Sequence, residues 1–258
     1  MKKIVLITGA SSGIGRATAL KYAEGSFDLI LIARRMEQLE ELKKEITEFC
    51  NIEVKLLKVD ISKAQEVKEA VESLEGSWRK IDILVNSAGL ALGMNKIHES
   101  DYDSFDNVID VNVKGLLYVA RAVIPLMLEA NLDGHIVNLG STAGMAAYPG
   151  GGVYCASKAA VKTLSDSMRI DLIDTPIRVT NIQPGMVETP FSDVRFYGDH
   201  DKAKSVYSGI EPLTAEDVAE VITYATSLPK NVQICELMIT PNKQATGTNI
   251  YKLTNLNM

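Results

Sequence analysis

Ile4–Gly15 reads IVLITGASSGIG, an apolar run that ends in a glycine-rich turn. An apolar run without alternation suits a parallel strand covered on both faces better than a half-exposed one. The turn, with Gly9, Gly13 and Gly15, leads directly into the helical period of residues 13–24. A helix N-terminus behind a parallel strand presents backbone N–H groups and the positive end of the helix dipole, which is where a pyrophosphate binds. The glycines permit the tight turn and bring backbone close to phosphate, and Ser11 and Ser12 add hydroxyl donors. The spacing G-x-x-x-G-x-G differs from the G-x-G-x-x-G of the usual dinucleotide fingerprint.

The pattern repeats outward from this stretch. Strands are predicted at Ile4–Thr8, Asp28–Ala33, Glu53–Val59, Ile81–Asn86, His135–Gly140, Arg178–Ile182 and Ile234–Ile239. Helices are predicted near 13–24, 36–49, 63–75, 103–130, 153–174 and 215–227. In the fourth of these, Phe105, Val108, Ile109, Leu116, Val119, Val123 and Leu126 form one apolar stripe. Strand–helix alternation of this kind implies a doubly wound α/β fold, a seven-stranded parallel sheet with helices on both faces. No linker or repeat divides the 258 residues, so one domain is expected.

Composition narrows the function. The net charge of −6 and the lack of a clustered basic face argue against nucleic acid. No segment is expected to be long and apolar enough to cross a membrane. Cys50, Cys155 and Cys235 lie far apart, as do His98, His135 and His200, so neither a disulfide framework nor a metal site is expected. The start MKKIVLITGA runs straight into a strand and lacks the features of a signal peptide, which makes the cytoplasm the expected location.

Tyr154 precedes Lys158 by one helical turn in VYCASKAAVKTL, which puts phenol and ammonium on one helix face. Together with the glycine turn, this pair resembles the short-chain dehydrogenase/reductase family. Matching segments follow in the family's order: VDIS with Asp60, NSAG at Asn86–Gly89, Asn112 in DVNVKG, Ser141 in NLGSTAG, and PGMVET at Pro184–Thr189. Ser87 departs from the pattern, since the family usually has a second asparagine there that supports the strand. The resemblance covers nearly the whole chain and implies a Rossmann domain over residues 1–258, with a substrate loop at about 188–212. It implies a dinucleotide held by Gly9, Ser11, Ser12, Gly13, Ile14, Gly15, Arg34, Arg35, Asp60, Ile61, Asn86, Ala88, Gly89, Tyr154, Lys158, Pro184, Gly185, Val187 and Thr189.

Arg34 and Arg35 decide which nicotinamide is expected. An NAD site places a carboxylate after the second strand, whereas a 2′-phosphate calls for guanidinium, and no carboxylate occurs here before Glu37. NADP is therefore expected. The resemblance makes Tyr154 the acid in carbonyl reduction and the base in alcohol oxidation. Lys158 and an oxidised nicotinamide are expected to lower the Tyr154 pKa, with Lys158 also holding the ribose. Ser141 would hydrogen-bond the substrate oxygen, or only cap a turn. Asn112 would either be a satisfied structural amide or hold a relay water next to Lys158, and both can be true. Cys155 reads as a small core residue.

The segment ETPFSDVRFYGDHDKAKSVYSGIEPLTAEDVAE, with NSAGLALGM and MITPNKQA, resembles one subgroup, the NADP-dependent 3-hydroxy acid dehydrogenases. Serine, allo-threonine or 3-hydroxyisobutyrate would then be the type of substrate. A broad carbonyl or 3-oxoacyl-thioester reductase is the alternative, and a non-catalytic NADP-binding regulator is a third reading. A hydroxy acid needs a cation for its carboxylate, and Arg195 is the candidate; the competing role is a surface pair with Asp193 or Asp199. The family also implies a homotetramer built on the long helices near 103–130 and 153–174.

Overall fold

Every residue of β1 (Ile4–Thr8) is buried, and alternation along it divides the core into two layers. The computed structural model describes residues 2–252; the ends of the expected 1–258 domain, residue 1 and residues 253–258, lie outside the described residues. After β1 come α1 (Gly13–Glu24), β2 (Asp28–Ala33), α2 (Met36–Phe49), β3 (Val54–Lys58), α3 (Ala64–Glu72) and β4 (Ile81–Asn86). The next elements are α4 (Tyr102–Ile109), α5 (Leu116–Glu129), β5 (His135–Leu139), α6 (Gly152–Asp171) and β6 (Arg178–Pro184). The chain continues through α7 (Phe191–Arg195), α8 (His200–Ser205), α9 (Ala215–Ser227) and β7 (Glu236–Ile239).

The seven strands form one sheet in the order β3-β2-β1-β4-β5-β6-β7, with every pairing parallel. Ile4 and Leu6 pack with Val67 and Val71 of α3, Val119 and Val123 of α5, and Val161 and Met168 of α6. Val5 and Ile7 pack with Tyr22 of α1, Leu39, Leu42 and Ile46 of α2, and Val218 and Ile222 of α9. Helices thus cover both faces, which is why β1, β2 and β4 are apolar without alternation.

The helix expected over 103–130 is not uniform. A π-helical turn, Asp110–Gly115, joins α4 to α5. The wider turn lets Asn112 face away from the stripe while Val108 and Leu116 stay in the core. Tyr102–Glu129 is also long and apolar enough, by length and composition, to cross a membrane, which corrects the sequence expectation. Its apolar stripe lies against the sheet, and that core role accounts for the hydropathy. The segment expected as the substrate loop, about 188–212, holds α7 and α8. β6 reaches Pro184 because Gln183 and Pro184 still pair with Met238 and Ile239.

At the start of β5, His135 is buried, with Nε2 2.7 Å from the Thr180 hydroxyl and Nδ1 unpartnered. Burial, helped by the Arg178 guanidinium, pushes its pKa down to about 3. The unfolded chain binds a proton near pH 6.5 that the folded one refuses. The stability this neutral histidine carries is therefore complete above pH 6.5 and is lost as pH falls towards 3, at up to about 1.4 kcal/mol per pH unit. Thermal unfolding between pH 7 and 5 is expected to shift downward in the wild type and less in His135→Asn; equal slopes would refute the assignment.

Candidate active site

The site begins where the sheet changes direction. β1 and β4 are neighbours, with Thr8 opposite Asn86, yet the chain leaves β1 for one edge and β4 for the other. The segments leaving their C-terminal ends diverge, and a crevice opens between them. Gly9 sits at φ +69°, and a Cβ there would come within 2.9 Å of the Ala88 backbone nitrogen. A Cβ on Gly15 would lie 2.4 Å from the Gly9 carbonyl oxygen. Glycine at these positions lets α1 start directly on the end of β1. Ser12 precedes α1 in extended conformation and its side chain does not cap the helix, so the first N–H groups face the crevice.

One cavity of about 210 Å³ lies along this crevice and is lined by Gly9, Ser11, Ser12, Gly13, Ile14, Gly15, Arg34, Arg35, Asp60, Ile61, Ala88, Gly89 and Thr189. Arg35 crosses its mouth, with Nη2 donating to the Ser11 and Ser12 hydroxyls, each at 3.1 Å. A guanidinium and two hydroxyls beside a helix N-terminus fit a phosphate monoester, and the narrow channel lined by Asp60 and Ile61 fits an adenosine. The residues present therefore fit NADP.

A second cavity of about 560 Å³ shares Ile14, Ser87, Gly89, Thr189 and Phe191 with the first. Its lining includes Ser141, Tyr154, Lys158, Pro184, Gly185, Val187 and Arg195. Lys158 is buried on α6, donates to the Leu139 carbonyl at 2.7 Å, and has Nζ 5.9 Å from the Tyr154 ring centre. Burial lowers the Lys158 pKa to about 8. The Tyr154 ring packs on Phe191, 5.6 Å between centres, and the Ser141 hydroxyl caps the turn after β5 by accepting from the Ala143 N–H at 3.1 Å.

Several expectations change at this level. Burial pushes the Tyr154 phenol above its ordinary range, and the pull of Ser141 and of the Arg195 guanidinium does not offset it. The expected lowering is not built into the protein alone; it requires charge brought in with the cofactor. Asn86 does not line either cavity. It is buried and donates to Asn138 Oδ1 at 2.9 Å, tying β4 to β5, because strand alternation turns Asn86 inward and leaves Ser87 facing the groove. Asn112 is the satisfied amide: Nδ2 donates to the Leu90 carbonyl (2.8 Å) and the Ser157 hydroxyl (2.9 Å), and Oδ1 accepts from the Leu90 N–H (2.8 Å). Both amide hydrogens are used, so a relay water would be held by an oxygen of this residue. Arg195 is not the surface arginine of the competing reading, since Asp193 pairs with His200 and Asp199 caps α8.

Sequence reasoning missed Tyr148 and Gln244, which also line the larger cavity. Gln244 accepts from the Met186 N–H at 2.8 Å and so fixes the segment after β6. Neither residue carries a local signal; both reach the site by packing. Cys155 is a buried core residue as read, and no cluster able to hold a metal occurs among the described residues.

Comparison with known proteins places this geometry. The model of the short chain dehydrogenase family matches residues 3–197. An NADP-dependent 3-hydroxy acid dehydrogenase of Schizosaccharomyces pombe is 43% identical over 97% of this chain and 96% of its own length. An enzyme of the same description from Escherichia coli K12 is 42% identical over 96% of this chain and 99% of its own. Among solved structures, the closed form of a serine dehydrogenase complexed with NADP+ superposes with a TM-score of 0.89 and 43% identity, covering 97% of this chain and 100% of that one.

Two substitutions test the site. Arg35→Ala is expected to weaken NADP+ roughly 10- to 100-fold and NAD+ far less, with Arg34→Ala acting in the same direction and the double variant most. Equal losses for the two cofactors, measured by titration, would make these arginines structural. Tyr154→Phe is expected to lower kcat by about 10²-fold or more while NADP+ affinity stays nearly unchanged. Substantial residual turnover would show that another acid operates.

Proposed function

The chain belongs to the short chain dehydrogenase family, and from that premise we propose an NADP-dependent dehydrogenase acting at the C3 hydroxyl or carbonyl of a short 3-hydroxy acid. The observation that carries this reading is one cavity holding Ser141, Tyr154 and Lys158 together with Arg195, directly beside a groove that ends at Arg34 and Arg35. The descriptions of the relatives, 3-hydroxy acid dehydrogenases and a serine dehydrogenase, support the same activity; allo-threonine and 3-hydroxyisobutyrate complete the proposed substrate type by family resemblance. A carbonyl or thioester reductase of broad specificity would not require a cation in the cavity.

NADP, when bound, supplies the hydride donor or acceptor. The remaining work falls to the protein. Tyr154 gives a proton to the substrate oxygen during reduction and takes it during oxidation. Ser141 donates to the same oxygen as charge grows there. Lys158, held against Leu139 and buried, would grip the ribose and keep positive charge below the phenol. Asn112 acts by placement: through Ser157, whose hydroxyl donates to the Tyr154 carbonyl at 2.7 Å, it fixes the first turn of α6. Arg195 provides positive charge for the substrate's acid group; its guanidinium carbon lies 5.8 Å from the Tyr154 ring centre. Phe191 and the rest of the 188–212 loop would shield the reacting atoms from water.

The same reading takes residues 1–258 as one domain in a cytoplasmic homotetramer. Three free cysteines support a reducing compartment. Exposed Tyr102, Leu117 and Leu128 on α4 and α5 and Ile170 on α6 support association through those helices. An active monomer in sedimentation would remove the tetramer.

NADP+ reduction assayed with short 3-hydroxy acids, their 2-hydroxy isomers and simple alcohols tests the activity. The 3-hydroxy acids are expected to lead in kcat/KM, and a preference for simple alcohols would overturn the reading. Arg195→Met is expected to depress kcat/KM for a 3-hydroxy acid more than for its methyl ester; losses of equal size would remove the arginine from acid recognition.

A further inference from the structure

Arg195 brings charge to the cavity, and two of its three nitrogens are already committed. Nε donates to the Gly93 carbonyl at 3.1 Å, and the Gly93 N–H donates back to the Arg195 carbonyl at 2.8 Å. Nη1 donates to the Tyr148 hydroxyl at 2.9 Å. Nη2 has no partner and is closed off from solvent. The guanidinium is thus clamped to the loop after β4 and to Tyr148.

Tyr148 lines the same cavity as Arg195, Ser141 and Tyr154. Its ring lies 5.4 Å from the Arg195 guanidinium carbon and rests on the backbone of Gly151, where a Cβ would come within 2.2 Å of Cε2. Arginine has no acceptor, so in the Arg195 bond the phenol oxygen can only accept. Its own proton is left to donate elsewhere, and among the described residues the Tyr148 hydroxyl makes no other hydrogen bond. A phenol that accepts from a cation is polarised into a stronger donor. What suits such a donor, with a fixed positive charge behind it, is an anionic oxygen.

We infer that Tyr148 is the residue that directly binds the substrate's acid group, donating its hydroxyl hydrogen to a carboxylate oxygen, and that Arg195 is a positioning residue acting through Tyr148. The inference rests on the 3-hydroxy acid reading and refines which side chain touches the substrate. Two phenols then divide the substrate between them: Tyr154 serves the reacting oxygen and Tyr148 the acid group. Burial pushes the Tyr148 hydroxyl up, against the opposing pull of Arg195, so it remains a donor at neutral pH.

The experiment compares kcat/KM for a 3-hydroxy acid and its methyl ester in wild type, Tyr148→Phe, Arg195→Met and the double variant. NADP+ affinity serves as the check on folding. Tyr148→Phe, which removes one oxygen, is expected to reduce the acid-to-ester ratio roughly 10- to 100-fold, mainly through KM. Arg195→Met in the Tyr148→Phe background is expected to reduce it little further, since the hydroxyl that Arg195 holds and polarises is then gone. If the wild type prefers the acid and Tyr148→Phe keeps that preference, the assignment of Tyr148 fails while the proposed activity stands. If Arg195→Met costs as much in the Tyr148→Phe background as in the wild type, the arginine contacts the acid directly and the inference is overturned. If the wild type shows no preference for the acid, the activity reading falls and the inference with it.

Discussion

The parallel pairing of β1 with β4 is the constraint on which the site depends. A parallel sheet needs each connection to cross back over a face, and here the crossovers from β1 and from β4 run to opposite edges. Between their ends no connection can lie, so a crevice remains above Thr8 and Asn86. The turn after β1 fills its floor with backbone N–H groups. The turn after β4 supplies the opposite wall through Ala88, Gly89 and Leu90. Arginines behind β2 close one end, and the end of β5 brings Ser141 to the other.

Burying a lysine and a phenol beside this crevice disfavours their charged forms, and the surrounding structure holds them there. Burial moves Lys158 down to about 8 and Tyr154 up, so each is pressed towards neutrality. A cationic ring entering the cavity would move the phenol back, which couples proton transfer to the state of the cofactor. The support comes from a polar chain that begins at the π turn: Asn112 holds Leu90 and Ser157, and Ser157 holds the Tyr154 backbone. A regular α-helix over the same residues would rotate Asn112 away from both partners or pull Val108 out of the core.

The substrate side is assembled differently, from loops tied to one another. Arg195 and Gly93 exchange backbone and side-chain hydrogen bonds. The Tyr197 hydroxyl lies 3.1 Å from that of Ser104, and Tyr207 bonds the Ser192 hydroxyl (2.8 Å) and donates to the Val187 carbonyl (2.9 Å). These bonds, with the packing of Phe191 on Tyr154, fix α7 over the start of α6. Specificity can therefore change here without disturbing the sheet.

The sequence by itself determined the elements and the chemistry that local pattern encodes. Continuous apolar strands specify a parallel sheet, glycines after β1 let α1 start directly on the strand, and Tyr154 and Lys158 share a helix face by spacing alone. Side-chain direction was less legible. Asn86 and Ser87 are neighbours in a motif, yet pleating sends one into the core and the other to the groove. The state of the buried groups was also illegible, because a pKa depends on what surrounds a residue and not on what precedes it. Only the tertiary structure decided what Arg195 does. Its partners Gly93 and Tyr148 lie 102 and 47 residues away, and folding alone brings the three together.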